Sequence, residues 1–409
     1  MTFTKKVADL TPIVDTVFAI ARRAKEDEKL HGDEVVNATI GALYDEDNQL
    51  VAFDSVFDHY NTMPNTTKAA YAPNFTGTTA FKDAIYNWVV QDVNLDLPHS
   101  VIATPGGSGA MSMAITTCLD VGDTLLIPSF AWTSYAIMAH ENQYQSLTYE
   151  MFEDDHFNLN DLKEKVESLL DKQERIVIVI NDPCHNPTGY SMTNHEWEEL
   201  ITYLNEVSKT HPCIILNDIA YIDYSYDLSH SRDYLNVFKK MSDHVMVIIG
   251  FSISKALTSY GLRCGAAITI ANKQEDVRDV EIVFEKKARA TWSSIPNGAM
   301  ENFIWVISEN KEAFLKEKDQ YIALLKERAD LFLKESLDEE LSLYPYKEGF
   351  FVTLKMNNNE ERDIYHEKLM DNHIYTVKVN KGIRIAICSL PLNKIKGLAK
   401  KLKDIQKEI

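Results

Sequence analysis

Between residues 100 and 270 the sequence alternates short apolar runs rich in β-branched residues with helical stretches, and this alternation confines the chain to few architectures. The runs fall at 100–103, 124–128, 176–180, 213–216, 245–249 and 266–270. Each is almost continuously apolar, as strands covered on both faces must be, and the stretches between them are long enough for helical crossovers. The expected fold is α/β, with a large, mostly parallel sheet. Residues 309–338 read differently: they are densely charged, with apolar Phe314, Ile322, Leu325, Ala329 and Phe332 at helical spacing. That pattern predicts one long helix, or two in series, with a solvated face. From about residue 340 an α+β unit is expected, with strands at 350–354 and 383–387, the second entered through Asn380-Lys381-Gly382, and a closing helix over 392–407. Near the start, Thr11-Pro12 reads as a helix cap, followed by Ile13, Val17, Ile20 and Ala21 at helical spacing. The predicted organisation is a large domain over 46–305 and a smaller α+β domain assembled from 1–45 and 306–409.

Charge and composition exclude several classes of function. Against 42 Lys+Arg stand 61 Asp+Glu, a formal charge of −19, and no basic cluster interleaved with aromatics offsets it. Such a field repels a phosphate backbone and an anionic membrane surface, so no nucleic-acid or membrane partner is expected. No apolar run approaches the roughly 20 residues of a membrane helix. Lys5 and Lys6 are followed by Asp9 rather than by an apolar secretory core, and the five cysteines show no CxxC spacing. Buried thiols in a cytoplasmic protein are expected.

Four segments carry candidate chemistry, each at the end of a predicted strand. Thr104-Pro-Gly-Gly-Ser-Gly-Ala-Met111 opens a helical stretch, where freed amides and the helix dipole suit a phosphate, although a Gly-rich turn also serves purely structural ends. It is neither a dinucleotide fingerprint nor a GxxxxGK[ST] loop. Asn181-Asp-Pro-Cys-His-Asn-Pro-Thr-Gly189 presents the Asn186 amide at the sheet's carboxyl edge, or is an elaborate turn. Asp218, closing an apolar strand, is either a helix cap or the partner of a buried cation. Phe251-Ser-Ile-Ser-Lys-Ala256 sets Lys255 between hydroxyls, with Arg263 following in Gly261-Leu-Arg-Cys-Gly265. A lone lysine there is an ordinary surface residue; the ordered set of four is not ordinary.

Together with Arg384 in Gly-Ile-Arg-Ile-Ala, and with the segment 37–47 that contains Gly41, this ordered set resembles the class I aminotransferases. These are pyridoxal-phosphate enzymes of fold type I, and the likeness is greatest to the aspartate and aromatic aminotransferases. The resemblance implies that Lys255 forms the Schiff base with pyridoxal 5'-phosphate and shuttles the substrate proton, roles a lysine fills when desolvation and nearby cations lower its pKa. It implies that Asp218 holds the pyridine nitrogen protonated, and that Tyr221 and Asn186 hydrogen-bond the ring's O3′. Trp132, or alternatively Phe130, would stack on the ring. Gly107, Ser108, Ser252 and Arg263 would hold the phosphate, with Ser254 in support. Tyr71 would reach the phosphate of a neighbouring subunit, making the site a homodimer property. Arg384 would clamp the α-carboxylate, as an arginine fork does better than a lysine. Arg289 would meet a distal carboxylate across the dimer, or lie exposed on a charged helix beside Lys286 and Lys287. Ala38-Thr39 departs from the family pattern beside Gly41, so the pocket's shape there is open. The implied activity moves an amino group between an L-amino acid, aspartate or aromatic, and a 2-oxo acid such as 2-oxoglutarate. A β-elimination lyase, or a regulatory protein that kept the fold without the chemistry, remains the alternative.

Overall fold

The computed structural model describes residues 3–5, 8–12 and 16–409. Seven strands form the main sheet: β1 (His99–Thr104), β2 (Thr124–Pro128), β3 (Gln145–Tyr149), β4 (Ile176–Asn181), β5 (Cys213–Asp218), β6 (Val245–Ser252) and β7 (Gly265–Ile270). Their order is β1-β7-β6-β5-β4-β2-β3. β7 runs antiparallel to both of its neighbours, and every other pairing is parallel. The continuous apolar runs have the expected cause. Ile176, Ile178, Ile180 and Ile215 enter one apolar core while Val177, Val179, Ile214 and Leu216 enter another on the opposite face. A period of two with both faces covered favours apolar side chains throughout, and Asn217 and Thr269 are buried polar exceptions.

The sequence reading missed β3. It lies at the sheet's edge, only Tyr149 of its five residues is buried, and its composition Gln-Ser-Leu-Thr-Tyr carries no continuous apolar signal. An edge strand with a wet face needs none.

A second sheet comprises β8 (Phe351–Lys355), β9 (Val377–Val379) and β10 (Gly382–Ala386), antiparallel in the order β8-β10-β9. Beside it Val36–Asn37 pairs in parallel with Ile374–Tyr375, which draws the N-terminal segment onto this C-terminal unit. Helix α1 (Thr16–His31) packs on the same unit through Ala24. Thr11 and Pro12 are irregular, with the Thr11 N–H donating to Asp9 Oδ1, and Ile13 lies outside the described residues. Residues 309–338 do form one helix, α4 (Lys311–Asp338), preceded in the chain by α2 (Gly106–Cys118) and α3 (Gln274–Thr291).

The expectation that the charged residues of α4 are solvated fails at two positions. Lys318 is buried 3.4 Å from Asp223, which Arg232 also meets at 2.6 Å, and Arg328 is buried between Glu46 Oε1 and the carbonyls of Tyr44 and Cys388. Buried cations persist because each is paired and hydrogen-bonded. The closing helix is also corrected: it breaks into Leu392–Ile395 and Leu398–Gln406. Gly397 stands at the break with φ +78°, and its N–H donates to the Glu335 carboxylate on α4. All five cysteines are free and buried, and no described helix is long and apolar enough to cross a membrane.

Candidate active site

The carboxyl ends of β1, β4, β5 and β6 converge on one cavity of about 390 Å³. Gly107 and Ser108 reach it at the N-terminus of α2, just beyond β1. With them come Asn186 after β4, Asp218 at the end of β5, Tyr221 beyond it, and Ser252 and Lys255 at the end of β6. Trp132 and Arg263 complete the wall. The sequence pattern thus placed its residues at the strand ends, where a parallel sheet's loops form a site.

One end of the cavity is an anion cradle. Gly107 enters the first turn of α2 close to Ser252, where a Cβ would stand 3.3 Å from the Ser252 Cβ. Gly106, at φ +71°, sits so close to Arg263 that a Cβ would fall 2.9 Å from Nη2. Only glycine lets the turn and the guanidinium share this space, which leaves the helix amides and a fixed positive charge side by side. Ser254 lines the cavity and its Oγ accepts from Arg263 Nη1 at 3.4 Å, a supporting position.

Asp218 also lines the cavity. It is buried, and burial raises its pKa, while donation from Tyr135 Oη at 2.6 Å, from the Ala220 N–H at 3.0 Å and the nearby Lys255 charge oppose the rise. Asn181 links this residue to the next loop: its Nδ2 donates to the Asp218 carbonyl at 2.7 Å and its Oδ1 accepts the Asn186 N–H at 2.8 Å.

Lys255 lines the cavity as well, and its Nζ donates to the Gly41 carbonyl at 2.9 Å. Desolvation lowers its pKa to about 8, and the Arg384 and Arg263 charges push the same way against Cys388 and Asp218. The amine also lies 5.2 Å from the Tyr221 ring centre and 4.9 Å from that of Tyr260. An amine that is partly neutral near physiological pH is suited to nucleophilic and proton-transfer work.

Arg384, second in the alternating strand β10, stacks 4.4 Å over the Phe351 ring. Nη1 donates to Asn186 Oδ1 at 3.2 Å and Nη2 to the Thr39 carbonyl at 2.8 Å, while Nε is buried with no partner. Gly41 approaches the same Phe351, and a Cβ there would lie 3.0 Å from its ring.

Three expectations meet the structure unevenly. Of Trp132 and Phe130, Trp132 faces the cavity, while Phe130 is buried against Phe152 and Tyr344. Tyr71 is 89% exposed and does not line this chain's cavity. Arg289, at the end of α3, is also exposed, donating to Ser293 Oγ at 2.7 Å and lying 5.9 Å from the Phe75 ring. Sequence reasoning missed Tyr135, Asn181, Tyr260 and Phe18. Tyr135 lies one helical turn after Trp132, and its position in Trp-Thr-Ser-Tyr was a usable signal. Tyr260 accepts the Leu43 N–H through its hydroxyl, and Phe18 brings α1 to the cavity rim. Neither has a local signature.

The profile of the family described as aminotransferase class I and II matches residues 33–402. A crystal structure of an aminotransferase from Anaerococcus prevotii is 32% identical, covers 99% of both chains and superposes with a TM-score of 0.95. A probable aspartate aminotransferase of Methanocaldococcus jannaschii is 30% identical over 51% of this chain, a match that spans about half (52%) of that relative's length. The aromatic-amino-acid aminotransferase of Escherichia coli is 24% identical over 75% of this chain and 77% of its own. On the profile's match across nearly the whole chain, this protein belongs to the class I and II aminotransferases.

Proposed function

We propose that this chain is a pyridoxal-phosphate-dependent aminotransferase exchanging an amino group between an L-amino acid, aspartate or aromatic, and a 2-oxo acid such as 2-oxoglutarate. The observation that carries the reading is the single cavity joining an anion cradle, a buried carboxylate and a lysine whose pKa falls to about 8. Pyridoxal phosphate fits these residues: a phosphate suits Gly107, Ser108, Ser252 and Arg263, an aldehyde suits Lys255, and a pyridine nitrogen suits Asp218. Bound there, the cofactor supplies an electron sink for the substrate's α-carbon.

The chain's own residues do the rest. The Asp218 carboxylate would keep a proton on the pyridine nitrogen. Lys255 Nζ would carry the proton between the substrate's α-carbon and the cofactor's C4′ carbon. Tyr221 and Asn186 would hydrogen-bond the ring oxygen, and Trp132 would stack on the ring. The unpartnered, buried Nε of Arg384 is a donor waiting for an α-carboxylate oxygen. Gly41 keeps the adjoining wall thin. Tyr71 and Arg289, exposed in this chain, serve the site of a second copy in a cytoplasmic homodimer. The large unit is taken as 46–305, and the small one as 1–45 with 306–409.

The reading is tested by one half-reaction. Holoenzyme mixed with an L-amino acid, without acceptor, should yield one equivalent of 2-oxo acid and the amine form of the cofactor. Ammonia released without that amine form would indicate a lyase instead, and no spectral change at all would indicate a binding protein. Donor choice is tested on Arg289→Ala. Turnover of aspartate and glutamate should fall about tenfold or more while aromatic donors are little changed, as expected for loss of one charge-assisted pair. An unchanged donor profile removes Arg289 from the site.

Tyr135→Phe tests a residue that acts through another. Losing a hydrogen bond to a charged acceptor costs about 1.5–3 kcal/mol, so the Asp218 carboxylate becomes easier to protonate. We expect kcat to fall at least about tenfold with KM nearly constant, and the acid limb of the kcat–pH profile to move to higher pH. A variant with wild-type kcat and an unmoved acid limb would assign Tyr135 to packing alone.

A further inference from the structure

Away from the cavity, Asp27 and His31 stand one turn apart on α1, and His373 reaches them from the turn before Ile374–Tyr375. One ligand atom from each lies within 4.8 Å of the others. His373 Nδ1 is 2.7 Å from Asp27 Oδ2, His31 Nε2 is 3.7 Å from Asp27 Oδ1, and the two imidazole rings are 4.1 Å apart. Donors bound at about 2.0–2.1 Å around a tetrahedral ion stand roughly 3.3 Å from one another. The two His–Asp separations, each to a different carboxylate oxygen of Asp27, lie on either side of that value. Tyr375 Oη donates to Asp27 Oδ2 at 3.0 Å, the kind of outer contact that orients a ligating carboxylate. The His373 backbone is held at both ends, its N–H by the Met370 carbonyl and its own carbonyl by the Val36 N–H.

We propose that Asp27, His31 and His373 bind a divalent transition-metal ion of the zinc class, fastening α1 to the strand at Ile374–Tyr375. Two imidazoles with one carboxylate suit such an ion, whereas magnesium and calcium prefer oxygen donors. Side-chain exposure of 14%, 30% and 41% for Asp27, His373 and His31 leaves one side open, so water completes the coordination. The fold gives this fastening a purpose. Among the described residues, the buried apolar cluster beneath this part of α1 contains only Ala24, Val35, Met370 and Tyr375, with Ile20 half-buried beside it. The same helix carries Phe18 to the cavity rim, about 13 Å along the axis from Asp27. An ion at one end of α1 therefore restrains the helix that borders the cavity.

The test uses tag-free holoenzyme cleared of metal with a chelator, then titrated with Co²⁺ followed by its visible absorption and with Zn²⁺ by calorimetry. One saturable ion per chain is expected, with a rise in Tm. Affinity should fall at least about tenfold in His31→Ala and Asp27→Asn, and the Tm rise should vanish. His31→Ala leaves the hydrogen bonds of His373 and Tyr375 to Asp27 in place, so the variant keeps its fold. No saturable binding up to millimolar ion overturns the proposal. Equal binding in wild type and both variants also overturns it, because the ion would then sit elsewhere, on a thiol or on the cofactor.

Discussion

Lys255→Ala should lower the rate of the amino-donor half-reaction by at least about 10⁴-fold, because it removes the group proposed as both covalent anchor and general base. Stopped-flow absorbance measures the loss. Cofactor should still be retained, since the Gly107–Ser108 turn, Ser252 and Arg263 are untouched, so a variant that simply cannot bind pyridoxal phosphate would point to a different defect. Stability separates chemistry from unfolding. In the folded cofactor-free protein the Lys255 pKa is about 8 against an ordinary value of 10.5, so the folded state binds fewer protons between those values. Stability contributed at this position therefore rises with pH across that window and is lowest below pH 8. Lys255→Met, close in size but uncharged, should be at least as stable as the cofactor-free wild type at pH 7. That advantage should shrink as the pH climbs towards 10.5. A variant less stable at pH 7, with no pH trend in the difference, would contradict a desolvated amine.

The legibility of this chain followed how locally each feature is encoded. The six apolar runs announced strands because burial on both faces imposes a near-continuous apolar string, readable without the fold, and this holds even for β1 at the sheet's edge. β3 escaped because an edge strand with one wet face imposes nothing so strict. Asp218, Lys255 and Arg263 were legible because strand-end motifs fix their backbone, and the sheet brings those ends together. Tyr135 closes the run Trp132-Thr-Ser-Tyr135, yet its role stayed hidden, since its partner Asp218 is distant in sequence, at the end of β5. The buried cations Lys318 and Arg328 resemble any other charges on a long amphipathic helix until Asp223 and Glu46 are seen beside them. The His31–Asp27–His373 cluster joins residues more than three hundred positions apart, and no spacing rule reaches that far. Net charge misled least once the site was in view. Anionic ligands are met by a few focused cations in a cleft, not by the overall field.

Arg384→Lys should cost about 10² to 10³-fold in kcat/KM for every amino donor. The reason is geometric before it is electrostatic. Arg384 is held by three contacts at once: Nη1 on Asn186 Oδ1, Nη2 on the Thr39 carbonyl and its plane over Phe351. That arrangement leaves the buried Nε, with the remaining guanidinium protons, to receive a carboxylate. A lysine ammonium keeps the charge but has neither the plane that stacks nor the fork that binds two oxygens, and it cannot satisfy Asn186 and Thr39 while doing so. Removing one partner of a buried, hydrogen-bonded charge pair costs about 2–5 kcal/mol, which spans the expected loss. The loss should appear mainly in KM, because the α-carboxylate is bound in ground state and transition state alike. It should also be uniform across aspartate, glutamate, tyrosine and phenylalanine, which share that carboxylate and differ only beyond it. This uniformity separates Arg384 from Arg289, whose replacement should divide dicarboxylic from aromatic donors. A donor-selective loss in Arg384→Lys would move the α-carboxylate contact to another residue and turn the substrate around in the cavity.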